Sequence, residues 1–482
     1  MAPRGPPFRV ARAQAGTLPG WELLALASAL AIVVVRAGPV SDADVFWHIM
    51  AGRYSLAGQG FPHPDPWAFT LPGAHWHSTA WLSELVLALV YQLGGFAGIV
   101  SLRLALTVGL TWMLHGLLVK GRAGWSGPVV FAVTLLPLGT YLQERPQTVS
   151  LLFLVWLAGV CHRQLTEGTL PRPWLVVLVT YVWACAHGLF VLAPASLALL
   201  AVAGMAERGR ADWPAARRLL QLATVTSAAC ALTPMGPRLL LSPLIVGRAA
   251  RFTTTEWRPT NLLYVGTWGF ALLMLLAFTA IARGGERVPR SEVLWIAAVS
   301  VFGFLAIRNA GPASLLLAPV VAARLRVVWD RTDSALRLPG AVRPAFFALA
   351  VLTTLLSYLQ APVLPDNSPR RIAATLARQP GQLRVFNDYN LSGYLILQAS
   401  PHILLTVDGR ADRYGAAYLR TYSEAHTGTG NWRRFVDSLH ADVAVFGKDD
   451  AITSLLVNEL HWTLALEDGE WVLLTAPTTQ KL

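Results

Sequence analysis

Charge is scarce in this sequence. Only 14% of its residues are Asp, Glu, Lys or Arg, where an ordinary soluble chain carries about a quarter. With 54% hydrophobic residues over 482 positions, that scarcity excludes both a soluble globular protein and a disordered one. Cysteine is scarcer still. Cys161, Cys185 and Cys230 are widely spaced, in or beside apolar runs, which excludes a disulfide framework or a cysteine metal site and leaves buried thiols. No glycine-rich nucleotide-binding loop and no internal repeat is present. Nor is there a basic groove: the net charge is +12, but the arginines stand in short clusters between apolar runs, the pattern of orientation signals rather than of nucleic-acid binding. Arg4, Arg9 and Arg12 precede the first apolar run, and no small-residue cleavage site closes that run. A retained first span is therefore expected rather than a cleaved signal.

What the chain has in abundance is apolar runs of membrane-crossing length. A hydrocarbon core takes about 20 apolar residues in helix. Spans are expected near 21–39, 96–118, 127–143, 146–165, 173–187, 189–206, 216–233, 264–283, 292–307, 311–328 and 344–361. With the N-terminus cytoplasmic, the basic residues fall on the inside: Lys120 and Arg122, Arg163 and Arg172, Arg208 to Arg218, Arg283 to Arg290, and Arg324 to Arg343. This agrees with the positive-inside rule, and an odd number of spans leaves the C-terminal part outside.

Two segments are not of this kind. Residues 41–95, on the outside, hold two amphipathic stretches joined by the extended, proline-rich "FPHPDPWAFTLPG". Val45, Phe46, Ile49, Met50 and Leu56 recur at helical spacing in the first, and "WLSELVLALVYQLGG" is apolar enough to lie in the interface. Trp47, Trp67, Trp76 and Trp81 suit a headgroup belt. From about residue 363 the composition turns polar and mixed. Strands are expected at "LRVF", "ILLTV", "DVAVFG", "TLALE" and "WVLLT", and helices at 392–398, 416–425, 432–439 and 451–460, closing on a hairpin at "EDGE". The reading is a polytopic α-helical membrane protein of about eleven transmembrane helices, residues 1–362, with a C-terminal extracytoplasmic α/β domain, residues 363–482.

Ionisable residues at membrane depth are expensive and usually functional, and here they gather at the outside ends: Asp42, Asp44, His48, His75, His77, Glu144, Arg145, His187, Glu256, Arg258, Arg308 and Asn309. A cavity opening outward accounts for them. In "SDADVFWH", Ser41 could be an N-cap with Asp44 three residues on, and acids suit a first helical turn. Capping requires neither Asp42 nor the nearby His and Trp. A carboxylate there is equally placed to take a proton from a hydroxyl or to hold a divalent cation.

Several stretches follow in an order that resembles the GT-C superfamily of membrane glycosyltransferases, and bacterial members in particular. They are "DADVFWHIMAGRYSLAGQGFPHPDPWAFT", "ERPQ", "AHGLF", "TPMG", "TTEWRP", "AIRNAGP" and "YNLSGYLIL…VDGRADRY". The superfamily includes protein mannosyltransferases, aminoarabinose transferases and oligosaccharyltransferases. The resemblance implies an integral-membrane, inverting glycosyltransferase of the bacterial cytoplasmic membrane. It would move a sugar from a polyprenyl-phosphate donor to a glycan, lipid or protein acceptor at the outer face. It implies Asp44 as base, with Asp42 the alternative, and Arg308 and Arg145 on the donor phosphate. His48, His75, His77, His187, Glu256, Trp257, Arg410 and Asp412 would line the substrate. Each has a plainer reading as a helix-end, snorkelling, turn or membrane-edge residue. Metal stays open: Asp42 and Asp44 could ligate Mg²⁺ or Mn²⁺, but many relatives need none. Two other classes compete. A transporter or flippase for a lipid-linked sugar would place its polar groups at the bilayer midplane, and a non-catalytic sugar-binding or assembly protein would keep the fold without the activity.

Overall fold

The computed structural model describes residues 17–58, 65–74, 76, 78–284, 287–329, 337–339, 345, 348–349, 351–352, 355–356, 364 and 367–477. His75, His77 and most of the last expected span, 344–361, lie outside them.

Helices come first: α1 Gly20–Val35, α2 Val45–Leu56, α3 Trp81–Leu118, α4 Ser126–Leu138, α5 Pro146–Glu167, α6 Pro173–Ala186, α7 Leu192–Arg208, α8 Trp213–Ala231, α9 Ser242–Ala250, α10 Trp268–Arg283, α11 Arg290–Leu305 and α12 Ala310–Trp329. Each of the first ten expected spans falls on one of these. Among the described residues, five stretches are long and apolar enough to cross a membrane: 81–118, 146–167, 188–231, 265–283 and 307–329. The stretch 188–231 joins α7 and α8 through a short 3-10 turn, and α1, α4 and α6 are shorter apolar helices. The eleven-span count is therefore larger than length and composition establish.

Local chemistry sets the ends. Proline stands at the first positions of α5 and α6, where its missing N–H leaves no bond unmade. Gly168 closes α5 in the left-handed conformation. The "WLSELVLALVYQLGG" stretch and the span after it are one run of helix broken at Gly95, whose φ of 58° and ψ of −149° no helix contains. A residue with a Cβ would resist that conformation, so Gly95 divides a segment at 81–94 from the span at 96–118.

α12 is the centre of the bundle, buried along most of its length and packed by α4, α5, α10 and α11. Its small residues Ala310, Gly311, Ala313 and Ser314 let neighbours approach closely; Gly311 lies under the Tyr141 ring.

A buried pair fixes the entry to α2. Arg103 of α3 ion-pairs with Glu144 and also bonds the carbonyls of Gly38 and Pro39. The other Glu144 oxygen accepts from the amides of Ser41 and Asp42, each at 3.2 Å. The capping expectation for Ser41 fails here, because its hydroxyl also turns to Glu144, at 3.4 Å. Removing one partner of a buried pair like Arg103–Glu144 typically costs about 3–5 kcal/mol. The "SDAD" backbone is thus clamped by the membrane bundle.

After a short β1–β2 pair (Thr17–Pro19 with Arg337–Pro339), the C-terminal part runs α13 Arg370–Ala377, β3 Leu383–Asn387, α14 Ser392–Ala399, β4 Ile403–Leu405, α15 Ala411–His426, α16 Trp432–Leu439, β5 Val443–Gly447, α17 Ala451–Leu460, β6 Thr463–Asp468 and β7 Trp471–Thr475. All five expected strands form, in the order β4-β3-β5-β7-β6. β4, β3 and β5 are parallel, and β7 and β6 are an antiparallel hairpin at the far edge. The core sits on both faces: Val385, Phe386, Val443, Ala444, Val445 and Phe446 are all fully buried, the continuous apolar pattern of a parallel sheet covered by helices.

The loop before α3 extends this sheet. Leu405 donates to the Trp67 carbonyl at 2.7 Å, Phe69 donates to Leu405 at 3.3 Å, and Ala68 pairs with Leu405 in parallel. Asp65 ion-pairs with both Arg410 (2.9 Å) and Arg413 (2.6 Å). From the other side α2 packs on α14, with Phe46 edge-on to Phe96 and Tyr394 at 5.8 and 5.5 Å. The described residues between 41 and 80 are therefore held by the bundle and the sheet together.

Candidate active site

Between the sheet and the helix ends lies a cavity of about 140 Å³. Its lining comes from segments far apart in sequence: Asp44 just before α2, Trp47 and His48 of α2, Trp76, Glu84, Arg145 and Gln147, His187, Glu256 and Trp257, Arg308, and Tyr389, Gly409, Arg410 and Asp412. Of the described residues singled out in the sequence, Asp44, His48, Arg145, His187, Glu256, Trp257, Arg308, Arg410 and Asp412 line it, whereas Asp42, Glu144, Arg258 and Asn309 do not.

The two aspartates differ in what they face. Asp42 is 2% exposed. One of its oxygens ion-pairs with Arg145 and the other accepts the Asp44 amide at 2.8 Å. Asp44 is half-buried at the N-terminus of α2 without capping it, and one oxygen accepts from the Trp47 indole at 3.1 Å. Burial pushes the Asp44 carboxyl above its ordinary range, and the neighbouring Asp42 charge pushes it further. The pair does not offer two free carboxylates to one ion, since both Asp42 oxygens are engaged. Mg²⁺ or Mn²⁺ between Asp42 and Asp44 does not fit this arrangement.

Opposite stand the cations. Arg145 meets Glu256 at 3.4 Å. Arg308 meets the same carboxylate at 3.2 Å, Gln147 at 2.9 Å, and stacks on the Trp257 ring at 4.0 Å. Burial works against the charge on Arg145, but Asp42 and Glu256 outweigh it and hold the guanidinium firmly charged. Burial likewise opposes charge on Glu256, and Arg308 and Arg145 keep its carboxyl below the usual range. Two arginine forks thus converge on one anion at the cavity wall. Trp257 has its face on Arg308, so it braces a cation here.

The "VDGRADRY" stretch supplies the sheet side. Arg410 is 1% exposed. It bonds Asp408 through Nε at 2.8 Å and Nη2 at 2.6 Å, and lies between the Trp67 and Trp76 rings. Its charge is engaged within the protein. Asp412 accepts from the Trp76 indole at 3.2 Å, and burial lifts its carboxyl to about 6. Gly409 abuts α2: a Cβ there would overlap the Trp47 indole nitrogen and stand 2.6 Å from Asp44 Oδ1. Gly409→Ala is expected to cost about 1–3 kcal/mol through this overlap, read as a lower melting temperature in detergent. An unchanged melting temperature would mean the contact is slack.

His187 has its Nδ1 between the Ser150 hydroxyl (2.9 Å) and the Leu189 amide (3.3 Å). His48 meets Glu84 at 3.0 Å and stacks on Trp47, ring centres 3.6 Å apart. Glu84 carries no weight in the sequence reading, and Trp76 enters it only as a headgroup-belt residue. A lone acid inside the apolar "WLSELVLALV" was the available signal for the first; nothing local marks the second.

A separate polar group lies at the carboxyl ends of β3 and β5, the point where the chain order reverses and open α/β sheets often bind ligands. Asp388, His426 and Asp450 bring one ligand atom each to within 4.8 Å of one another and could hold a divalent cation. As a plain ion pair, His426 Nε2 lies 3.4 and 3.6 Å from the two carboxylates. Its bonds to Asp388 and Asp450 raise it to about 9, against burial. A histidine raised from about 6.5 to about 9 contributes its full stability below pH 6.5 and loses it as pH rises through 9. In chelator, His426→Asn is therefore expected to melt below wild type at pH 6, by on the order of 2 kcal/mol after solvent screening. The gap should close by pH 10; a gap that persists there assigns the loss to packing.

The chain has the fold of ArnT from Cupriavidus metallidurans, an aminoarabinose transferase of the GT-C family, whose crystal structure holds undecaprenyl phosphate. The alignment covers 96% of this chain and 99% of that one, with a TM-score of 0.52 and 16% identity. No protein-family model and no curated protein matches the chain.

Proposed function

We propose that this protein is a membrane glycosyltransferase. It would take a sugar from a polyprenyl-phosphate donor and pass it to a hydroxyl acceptor at the outer face of a bacterial cytoplasmic membrane. The observation that carries the reading is the convergence of Arg145 and Arg308 on one carboxylate, Glu256, in the same cavity as Asp44. Two guanidinium forks that close on a carboxylate will close on a phosphate. The bound undecaprenyl phosphate of the ArnT structure supports the choice of anion.

The chemistry follows from the residues. Asp44 keeps one oxygen outside its bond to Trp47, and burial makes it a better base than a solvated carboxylate. It takes the proton of the acceptor hydroxyl as that oxygen attacks the anomeric carbon. The bond from that carbon to the phosphate oxygen breaks, and the lipid phosphate leaves with one more negative charge than it had in the donor. Arg145 and Arg308 meet the developing charge, and inversion results from attack opposite the leaving phosphate. Asp42 has a different task, holding Arg145 in place.

The orientation and the domain limits belong to the same reading: N-terminus cytoplasmic, residues 363–482 outside. The test is transfer by the purified protein in lipid nanodiscs. It would be offered radiolabelled undecaprenyl-phosphate sugars with a cell-envelope extract as acceptor source. Label should move from lipid to acceptor, with undecaprenyl phosphate released in equal amount. No release from any sugar lipid would sink the proposal.

A further inference from the structure

One cavity residue has no part in that chemistry. Glu84 lines the cavity from the 81–94 segment of α3 and is 1% exposed. Its Oε1 meets His48 Nδ1 at 3.0 Å. Its Oε2 is shut off from solvent and has no hydrogen-bond donor among the described residues. The arginines of the cavity are engaged elsewhere: Arg145 with Asp42 and Glu256, Arg308 with Glu256 and Gln147, Arg410 with Asp408 and Asp65. A buried carboxylate oxygen without a donor costs about 1–3 kcal/mol or more, and the bond to His48 uses only the other oxygen.

His48 extends the same surface. With Nδ1 donating to Glu84, the single-proton tautomer of the ring turns Nε2 out as an acceptor. The Trp47 ring lies against the imidazole, 3.6 Å between centres and tilted by 32°. In that tautomer Glu84 and His48 together offer acceptors: the Glu84 Oε2 and the His48 Nε2. Such a wall repels phosphate and suits hydroxyl groups. The cavity is divided: arginine forks for an anion on one side, acceptors for hydroxyls on the other, with Asp44 also in its lining.

We infer that Glu84 and His48 read the hydroxyl groups of the sugar carried by the lipid donor, and so set which sugar is accepted. Glu84 is the specificity-determining residue and supplies the bare carboxylate oxygen. This inference rests on the proposed glycosyltransferase reading.

The experiment measures binding in nanodiscs of undecaprenyl phosphate alone and of its glucose, galactose, mannose and arabinose phosphodiesters. Wild type, Glu84→Gln and His48→Phe are compared. Gln keeps the size and the bond to His48 but no longer presents a bare carboxylate; Phe keeps the stack on Trp47 and removes the acceptor. Wild type should bind at least one sugar-bearing lipid more tightly than bare undecaprenyl phosphate. Both variants should lose that gain, Glu84→Gln by about 10- to 100-fold, with bare-lipid affinity unchanged. Three results overturn the inference: no gain in wild type, a gain that survives both variants, or equal weakening of bare and sugar-bearing lipids. If wild type binds the bare lipid and Arg308→Lys weakens it, the phosphate reading stands while Glu84 fails. If wild type binds none of these lipids, both fail.

Discussion

Asp44→Asn is expected to abolish sugar transfer and leave the protein folded. Asn has the size of Asp and still offers Trp47 an oxygen for its 3.1 Å bond. Asp44 makes no side-chain cap to α2, so no helix bond is lost either. The stability change should stay within about 1 kcal/mol. A base removed from the transition state costs about 10²- to 10⁴-fold in rate. Catalysis and architecture are thus separable by magnitude, with transfer and melting temperature measured on one preparation. Asp42→Asn is the contrast: it leaves Arg145 short of its partner, so melting temperature and transfer should fall together. Should Asp44→Asn keep near-normal transfer, Asp44 is not the base. The wild-type rate should also rise with pH through a value above the ordinary aspartate of about 3.9, because burial and Asp42 oppose the Asp44 charge.

The second large effect is on donor binding. Arg308→Lys should weaken undecaprenyl phosphate about 10- to 100-fold, the worth of losing charge-assisted bonds. Lysine is a point charge on a flexible stem; it lacks the planar fork that reaches Glu256 and Gln147 from separate nitrogens and lies flat on Trp257. The fold should persist, since Tyr141 still donates to the Ile307 carbonyl at 2.5 Å and pins this turn through its backbone. Equal affinity in the two proteins would remove Arg308 from the phosphate seat.

Much of the architecture was legible because it rests on local pattern. Apolar length marks α1, α3 to α8 and α10 to α12, helical spacing marks α2, and alternation with turn residues marks the five strands of the sheet; α9, only nine residues long, was not expected. The C-terminal helices were found to within about five residues at their ends, apart from α13, whose short "RRIAATLA" offers only two large apolar residues, Ile372 and Leu376, to a helix pattern. The gathering of Asp44, Arg145, Glu256 and Arg308 was legible for another reason: charge is costly at membrane depth, so each such residue calls for a partner. What the sequence could not say is who the partners are. Arg410 looked like a substrate ligand because it is basic and follows a turn, yet Asp408, Asp65 and two tryptophans take it up. Asp42 and Asp44 look alike two residues apart, and only the position of Arg145, 103 residues away in sequence, separates them. Glu84 was hidden in an apolar run that reads as membrane anchor. Ser41 matched a capping pattern that Glu144 overrides from a distant loop.

The central claim is that the cavity between helix ends and sheet seats a lipid-linked sugar, its phosphate on the two arginines and its sugar before Asp44. The most direct test is a cryo-electron microscopy structure of the protein in nanodiscs with undecaprenyl phosphate added. The account predicts phosphate density within hydrogen-bonding distance of Arg145 and Arg308, with the Glu256 carboxylate displaced from between them and the polyprenyl chain leaving toward the bilayer. Phosphate bound away from both arginines, with Glu256 still bridging them, would contradict it.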